Sequence, residues 1–195
     1  NLHLEQSLAK MPNSALLTMQ LLLQKVSYNF ATDHDFEMTA YRLSQQPFDA
    51  QAIQGLRLLA ESVVGNQKAC EKYCQSILGL VQDLDKNPKY NKISVYWRLS
   101  AYLKAQMYLA MNNDELALEQ YMEAVKRYND VEAGLMMVAE VGTYSSSSNA
   151  LSLLNKVELI FKQQSTSTLR RSRSEYEMEI MRLKKLFEQQ IKSGG

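Results

Sequence analysis

The sequence predicts an all-α protein built from successive pairs of helices. Only 7 Gly and 3 Pro interrupt its 195 residues, so most of the chain can form helices joined by short turns. Apolar residues recur three and four positions apart in most segments between these breaks, which is the period of an amphipathic helix. With 46% hydrophobic residues, the chain can bury a core, and we expect it to be folded rather than disordered.

Four helical hairpins and a final unpaired helix are predicted in order along the chain, within a single domain of residues 1–195. Each hairpin is a pair of apolar-periodic segments divided by a short polar turn. The final helix would cover the open end of a stack of such hairpins. The hairpins lie at about 14–46, 48–85, 91–129 and 131–164, and the final helix at about 168–192.

Local signals place several of the helix ends. Thr32 or Asp33 can cap the second helix of the first hairpin, because a side-chain oxygen there accepts hydrogen bonds from free backbone amides. Gly65 suits the left-handed position that ends a helix. Residues 1–14 look like the second helix of a preceding hairpin, so we expect the sequence to be part of a longer protein.

The stops between hairpins recur with a drifting period. Pro12, Pro47, Pro88 and Asn129 close successive units and are 35, 41 and 41 residues apart. The tetratricopeptide repeat, a helix–turn–helix unit, has a period of about 34 residues. This spacing favours an array of helical hairpins with irregular helix lengths.

Residues 98–131 match the tetratricopeptide unit in part. Small residues are expected where its helices cross and aromatic residues beside them, and the chain supplies Ala105, Ala117, Ala124, Tyr108 and Tyr121. The departures from the unit are Ala101, Lys104 and Asn129. We identify a degenerate tetratricopeptide-like repeat and expect the hairpins to form a right-handed superhelix with a long C-terminal capping helix.

Composition and motifs narrow the function classes. Lys and Arg total 22 against 21 Asp and Glu, so there is no global field that would attract nucleic acid or an anionic membrane. No apolar run approaches the roughly 20 residues that span a bilayer. The sequence has no glycine-rich phosphate loop, zinc-spaced histidine pair or nucleophile elbow. We therefore predict no catalytic residue, no cofactor and no metal within these residues.

Two smaller features have competing interpretations. Cys70 and Cys74 lie four positions apart, on one face of a helix. Buried packing thiols are favoured over a disulfide, which this spacing strains, and over a metal site, which needs further ligands. His34 lies between two aspartates and is either a pH-sensitive or metal-contacting group or, as we favour, a solvated side chain.

An arginine cluster and an aromatic-rich helix supply the candidate partner-binding residues. The arginines crowd a helix start, where the helix dipole disfavours cations, so they could hold phosphate, carboxylate or an acidic glycan. The favoured interpretation is instead that Arg171 pairs with Glu175 and Arg173 with Glu177. Tyrosines near residue 96 could line a groove or, as is commoner, fill the core. The candidates are Tyr96, Trp97, Arg98, Arg170, Arg171 and Arg173.

Three segments together resemble a known bacterial domain. They are QQPFDAQAIQGLRLLAE at 45–61, the stretch from YLKAQMYLAMNNDELALEQYMEAV to NKVELIFKQQ at 102–164, and LRRSRSEYEMEIMRL at 169–183. This pattern is similar to the soluble C-terminal domain of membrane-bound O-antigen polymerases, O-antigen ligases and related protein oligosaccharyltransferases. The resemblance covers most of the chain and rests on overall pattern.

The resemblance implies a location and a role. These residues would follow a membrane region that is absent here and would lie on the periplasmic face of a Gram-negative inner membrane. Glycan transfer from a polyprenyl-diphosphate carrier would belong to that membrane region, and this domain would be an accessory module. Its partner would be a protein or peptide, or a glycan or glycan-carrier complex. Two other classes of function remain open. One is a stand-alone cytoplasmic scaffold or peptide-sensing regulator, and the other is a helical enzyme, which no sequence feature supports.

Overall fold

The computed structural model describes residues 2–12, 14–46 and 48–194, and this part of the chain is helical without a strand. The predicted all-α class is confirmed. The predicted stop at Pro47 and the two end residues of the predicted domain, Asn1 and Gly195, lie outside the described residues. The helices are α1 (Leu2–Lys10), α2 (Ala15–Ser27), α3 (Asp33–Gln45), α4 (Ala50–Glu61), α5 (Gln67–Lys86), α6 (Pro88–Asn91), α7 (Ser94–Ala110), α8 (Asp114–Tyr128), α9 (Val131–Tyr144), α10 (Ser147–Gln163) and α11 (Arg173–Lys192).

Turn chemistry sets most of the helix ends. Thr32 is the residue that caps α3, and the Asp35 carboxylate accepts hydrogen bonds from both its backbone N–H and its hydroxyl, each at 2.8 Å. Gly65 has the predicted left-handed backbone, with φ 76°. Asn129 ends α8 in the same conformation, with φ 48°. Asparagine tolerates this conformation, so it can stop the helix where the repeat pattern has proline.

The start of the final helix differs from the prediction, and one further helix was not predicted. The final helix begins at Arg173 rather than near residue 168, because Ser172 and Glu175 form a reciprocal cap at that point. A short 3-10 turn, Thr166–Thr168, precedes it. The helix α6 was not predicted, and it forms because Asn87 caps a turn whose first residue is proline.

Packing divides the chain into two compact units, Asn1–Met111 and Asn112–Gly195. The predicted domain of 1–195 and the predicted hairpin of 91–129 are both divided by this boundary, since α7 belongs to the first unit and α8 to the second.

In the first unit, alternate helices pack on one another. Helix α2 packs on α3 and α4, α3 packs on α5, and α7 packs on both α4 and α5. The core of this unit is continuous and includes the fully buried side chains of Met19, Leu22, Leu43, Leu56 and Leu59. Burying these apolar faces supplies the main stabilisation, because short isolated helices are marginal in water.

In the second unit, α10 is the central helix. It packs on α8, α9 and α11. Its inward face, including Ala150, Leu153, Leu154 and Val157, is fully buried. The final helix contributes the buried side chains of Tyr176, Ile180 and Phe187 to the same core. Its position at the end of the chain agrees with the predicted final helix that packs on the last hairpin.

The contact between α9 and α10 depends on glycine at position 134, which has no Cβ atom. A Cβ atom at that position would lie 2.7 Å from Val157 Cγ2, a distance that demands movement of a branched, buried side chain. At Gly79, by contrast, an added Cβ meets no heavy atom of the described residues within 4 Å. The two helical glycines therefore form a matched pair for testing close helix approach.

We expect overpacking in Gly134→Ala to destabilise the protein by about 1–3 kcal/mol. The higher helix propensity of alanine should offset about 0.5–1 kcal/mol of that loss. Gly79→Ala should leave stability unchanged or raise it by up to about 1 kcal/mol. Urea unfolding followed by circular dichroism at 222 nm measures both. Equal stability of the two variants would contradict the close approach at Gly134.

Candidate functional site

A groove of about 430 Å³ lies among α1, α2 and α3 of the first unit. We call it the α1–α3 groove. Its apolar lining includes Leu8 from α1, Leu21 and Leu22 from α2, and Met38 from α3. The three leucines are buried and Met38 is half-buried. Three helices thus supply an apolar surface of the kind that accepts a side chain from a ligand.

Charged side chains stand around the apolar part of the α1–α3 groove. Lys25 Nζ lies 2.7 Å from Asp35 Oδ1 and 4.0 Å from Glu5 Oε1. Partial burial acts to raise the pKa of Asp35, but hydrogen bonds from Lys25 and from the Thr32 backbone and hydroxyl outweigh it, and the pKa lies below 3.8. Asp35 therefore remains ionised near neutral pH, and it holds Lys25 while it caps α3.

Arg42 also lines the α1–α3 groove, two turns along α3 from Asp35. Its side chain is half-buried. In contrast to Lys25, its guanidinium has no ion pair with any of the residues that the structure describes. His34 also lines the groove, and its exposed ring lies 3.9 Å from Glu37. The exposure of His34 agrees with the favoured interpretation of a solvated side chain.

A buried glutamine, Gln46, forms hydrogen bonds with two residues that line the α1–α3 groove. Gln46 Nε2 donates hydrogen bonds to the Pro12 carbonyl at 2.8 Å and to Thr18 Oγ1 at 3.2 Å, and both acceptor residues line the groove. The Gln46 side chain is buried, and its Oε1 has no hydrogen-bond partner among the described residues. This link fixes the segment between α1 and α2 at the groove, so α1 is held beside α2.

Sequence reasoning did not find the α1–α3 groove. Glu5, Lys25 and Arg42 are 20 and 17 residues apart in the sequence and belong to three different helices. No local spacing therefore connects them. The nearest signal is the Asp-rich start of α3, which predicts only a helix cap and the environment of His34.

The candidate residues on α7 lie in different environments, one in the core and two at the surface. Tyr96 is fully buried, its hydroxyl donates a hydrogen bond to the Val81 carbonyl at 2.9 Å, and its ring meets Tyr90 edge-on at 5.3 Å. It is a core residue, and its expected place on the surface was wrong. Trp97 is 43% exposed and Arg98 is exposed. Neighbouring residues on a helix point about 100° apart, so Tyr96 and Trp97 cannot share a face.

The three candidate arginines of the second unit all have partners within that unit. Arg170 lies 3.1 Å from Asp130. Arg171 binds Glu132 at 2.9 Å and also Glu179, and its guanidinium lies 4.5 Å from the centre of the Tyr176 ring. An anionic ligand at this cluster would have to compete with these carboxylates.

Of the two predicted arginine–glutamate pairs, one is present and one is not. Arg173 lies 3.7 Å from Glu177, as predicted, and its guanidinium covers the Phe161 ring at 4.5 Å. The predicted pair of Arg171 with Glu175 is wrong. Arg171 precedes the first residue of α11, so helical spacing does not apply to it, and Glu175 instead accepts hydrogen bonds from Ser172. Those bonds hold the pKa of Glu175 below its usual value.

Arg171 is the centre of an ionic network that joins α9 to α11. The hydrogen bond with Glu179 has the largest effect on the guanidinium and, despite opposing desolvation, keeps the pKa of Arg171 above its usual value. The Tyr176 hydroxyl donates to the same Glu132 carboxylate at 2.8 Å. Desolvation, followed by this bond, raises the pKa of Tyr176. The network fixes the start of α11 against the start of α9.

Cys70 and Cys74 are joined by a disulfide bond within α5. The expectation of two free packing thiols was therefore wrong, although both residues are buried as that expectation required. Their Cα atoms lie 4.6 Å apart, within the range that a disulfide bridges.

Comparison of the chain with protein-family models, with curated proteins and with solved structures finds no match. Throughout residues 2–12, 14–46 and 48–194, no group of three or more His, Cys, Asp or Glu is placed to hold a metal ion. Nor does any helix in these ranges have the length and hydropathy needed to cross a membrane.

The pH dependence of stability should report the Asp35 cap. Because the pKa of Asp35 is lowered by folding, its contribution is complete above pH 3.8 and is lost as the pH falls below that value. Asp35→Asn should destabilise the protein by about 1 kcal/mol at pH 7 through loss of the charged cap and the Lys25 pair. The loss should shrink as the pH falls below 3.8, because the native carboxyl then becomes protonated as well.

Urea unfolding at several pH values measures this, and Glu37→Gln is the matched control. Glu37 lies on the same helix, and its side chain is 77% exposed. An equal effect of the two substitutions at pH 7 would contradict the assigned role of Asp35.

A second comparison tests the ionic network. We expect Arg171→Ala to cost about 1–3 kcal/mol, because it leaves Glu132 and Glu179 without their cation and removes the contact with Tyr176. Arg170→Ala should change stability by less than about 0.5 kcal/mol, since Arg170 is 71% exposed and makes one surface pair. Thermal unfolding of both variants measures these changes. Similar losses of stability in the two variants would show that Arg171 is not the central residue of the network.

Proposed function

We propose that this chain is a non-catalytic, tetratricopeptide-like interaction domain whose hairpins follow the right-handed turn of such repeats. The observation that supports it most is the alternate packing in the first unit, of α2 on α4 and α3 on α5. In a hairpin array, each hairpin covers the apolar face of its neighbour in this way. The small residues expected at repeat crossings, Ala105, Ala117 and Ala124, are all buried, which favours the same arrangement.

We further propose that the domain is the periplasmic accessory module of a membrane-bound O-antigen polymerase or ligase type of glycosyltransferase. The support is the resemblance of residues 45–61, 102–164 and 169–183 to the soluble domain of that family. The Cys70–Cys74 bond favours an oxidising compartment, because disulfides are rare where cellular thiols are kept reduced. In this proposal, transfer of the polyprenyl-linked glycan belongs to a membrane region, and this domain binds a protein or peptide partner.

The partner surfaces differ between the two units. In the first unit, the α1–α3 groove combines an apolar floor with charged groups, and Trp97 and Arg98 stand exposed on α7. In the second unit, Arg170, Arg171 and Arg173 form the proposed contact for an anionic glycan or glycan-carrier complex. Because these arginines are already paired, we expect the groove to be the stronger contact.

The test uses the complete gene product in its own host. Alkaline phosphatase or a fluorescent protein is fused after Gly195, since the first is active only outside the cytoplasm and the second only fluoresces well inside it. In parallel, residues 1–195 are deleted and the chain-length distribution of the surface polysaccharide is measured on gels. We expect phosphatase activity and an altered distribution. A fluorescent terminus with unchanged polysaccharide would favour the alternative, a cytoplasmic scaffold or peptide-sensing regulator.

A further inference from the structure

The charges around the α1–α3 groove are not compensated at one end. Lys25 is paired with Asp35 and lies near Glu5. Arg42 has no such pair with a described residue, although its side chain is half-buried. A guanidinium without a protein counter-ion can pair with a ligand, and a carboxylate is its best geometric partner. This end of the groove therefore favours an anion.

The other end of the α1–α3 groove disfavours a second anion. Glu5 stands there with its side chain 50% exposed and only a long, 4.0 Å approach to Lys25. Asp35 uses its carboxylate oxygens on Lys25 and Thr32. A ligand with negative charge along its whole length would meet these carboxylates. A ligand with one acidic group at the Arg42 end would not.

The spacing of these charged groups matches a short piece of extended peptide. Asp35 and Arg42 are seven residues apart on α3, which is about 10 Å along the helix axis. An extended chain covers that distance with about three residues. Between the two ends lie Leu21, Leu22 and Met38, which form an apolar surface for a side chain next to the acidic one.

We propose that the α1–α3 groove binds a peptide segment in which an aspartate or glutamate lies beside an apolar residue. The acidic side chain pairs with Arg42, and the apolar side chain contacts Leu8, Leu21, Leu22 and Met38. This rests on the proposed role as a protein-interaction domain and specifies the chemistry of its partner. A basic segment is disfavoured at the Arg42 end by like-charge repulsion.

The test selects ligands from random sequences, so the natural partner need not be identified first. A random heptapeptide phage library is passed over the immobilised chain of residues 1–195, and a recovered heptapeptide is synthesised with a fluorescent label for anisotropy measurements. We expect recovered sequences to share an acidic residue next to Leu, Ile, Met or Phe. Loss of a charge-assisted pair predicts that Arg42→Gln weakens binding about tenfold or more.

Two controls accompany the Arg42 variant. Lys68→Gln removes an exposed cation of the same unit outside the groove and should leave affinity unchanged. Replacing the acidic residue of the peptide by its amide should weaken binding to the unaltered chain as much as Arg42→Gln does. This second control does not depend on how well the variant folds. Recovery of no sequence, a consensus without an acidic residue, or equal affinity for Arg42→Gln would each overturn the proposal.

The polysaccharide measurement separates this proposal from the proposed function. If deletion of residues 1–195 alters chain length but the peptide selection fails, the groove assignment falls and the accessory role stands. If acidic peptides bind through Arg42 but deletion changes nothing and the terminus is cytoplasmic, the groove assignment stands and the glycan role falls.

Discussion

Close approach of helices at small residues is the constraint on which the fold depends. An added Cβ at Gly55 would lie 3.1 Å from Met19 Cβ, where α4 meets α2. In the second unit, Gly142 stands in the same relation to the Phe187 ring, with 3.1 Å to Cε1. Each contact lets one helix lie close enough to bury the apolar face of another. The α1–α3 groove depends on the first of these contacts, because α2, which packs against α4, forms part of its floor.

Ionic contacts add directional constraints to this apolar packing. In the second unit, the Glu132 carboxylate receives hydrogen bonds from both Arg171 and Tyr176. Lys184 on α11 pairs with Glu158 on α10, and this bond, more than the opposing effect of desolvation, keeps the pKa of Glu158 below its usual value. Apolar contacts alone would tolerate sliding of α11 along its neighbours. Paired charges at its start and its middle define its position.

The sequence predicted the features that local chemistry determines and missed those that need distant residues. Hydrophobic period and caps were sufficient for most of the helices, for the start of α3 at Thr32 and for the stops at Gly65 and Asn129, because each depends on residues within one or two turns. The partners of Arg171 lie 39 and 8 residues away, so helical spacing could not identify them. Tyr96 and Trp97 are adjacent, and composition alone cannot tell which of the two faces the core.

Arg42 differs from the paired arginines in a way that its own helix explains. Arg57 and Arg127 each find a carboxylate one turn away, in Glu61 at 2.7 Å and Glu123 at 2.9 Å. The positions three and four residues from Arg42 hold Met, Thr and two Gln, so α3 offers it no such partner. Its counter-charge must come from another element or from a ligand, and no described element supplies one. A half-buried cation kept without a partner is a local departure from stable packing, and such departures concentrate where a protein binds something else.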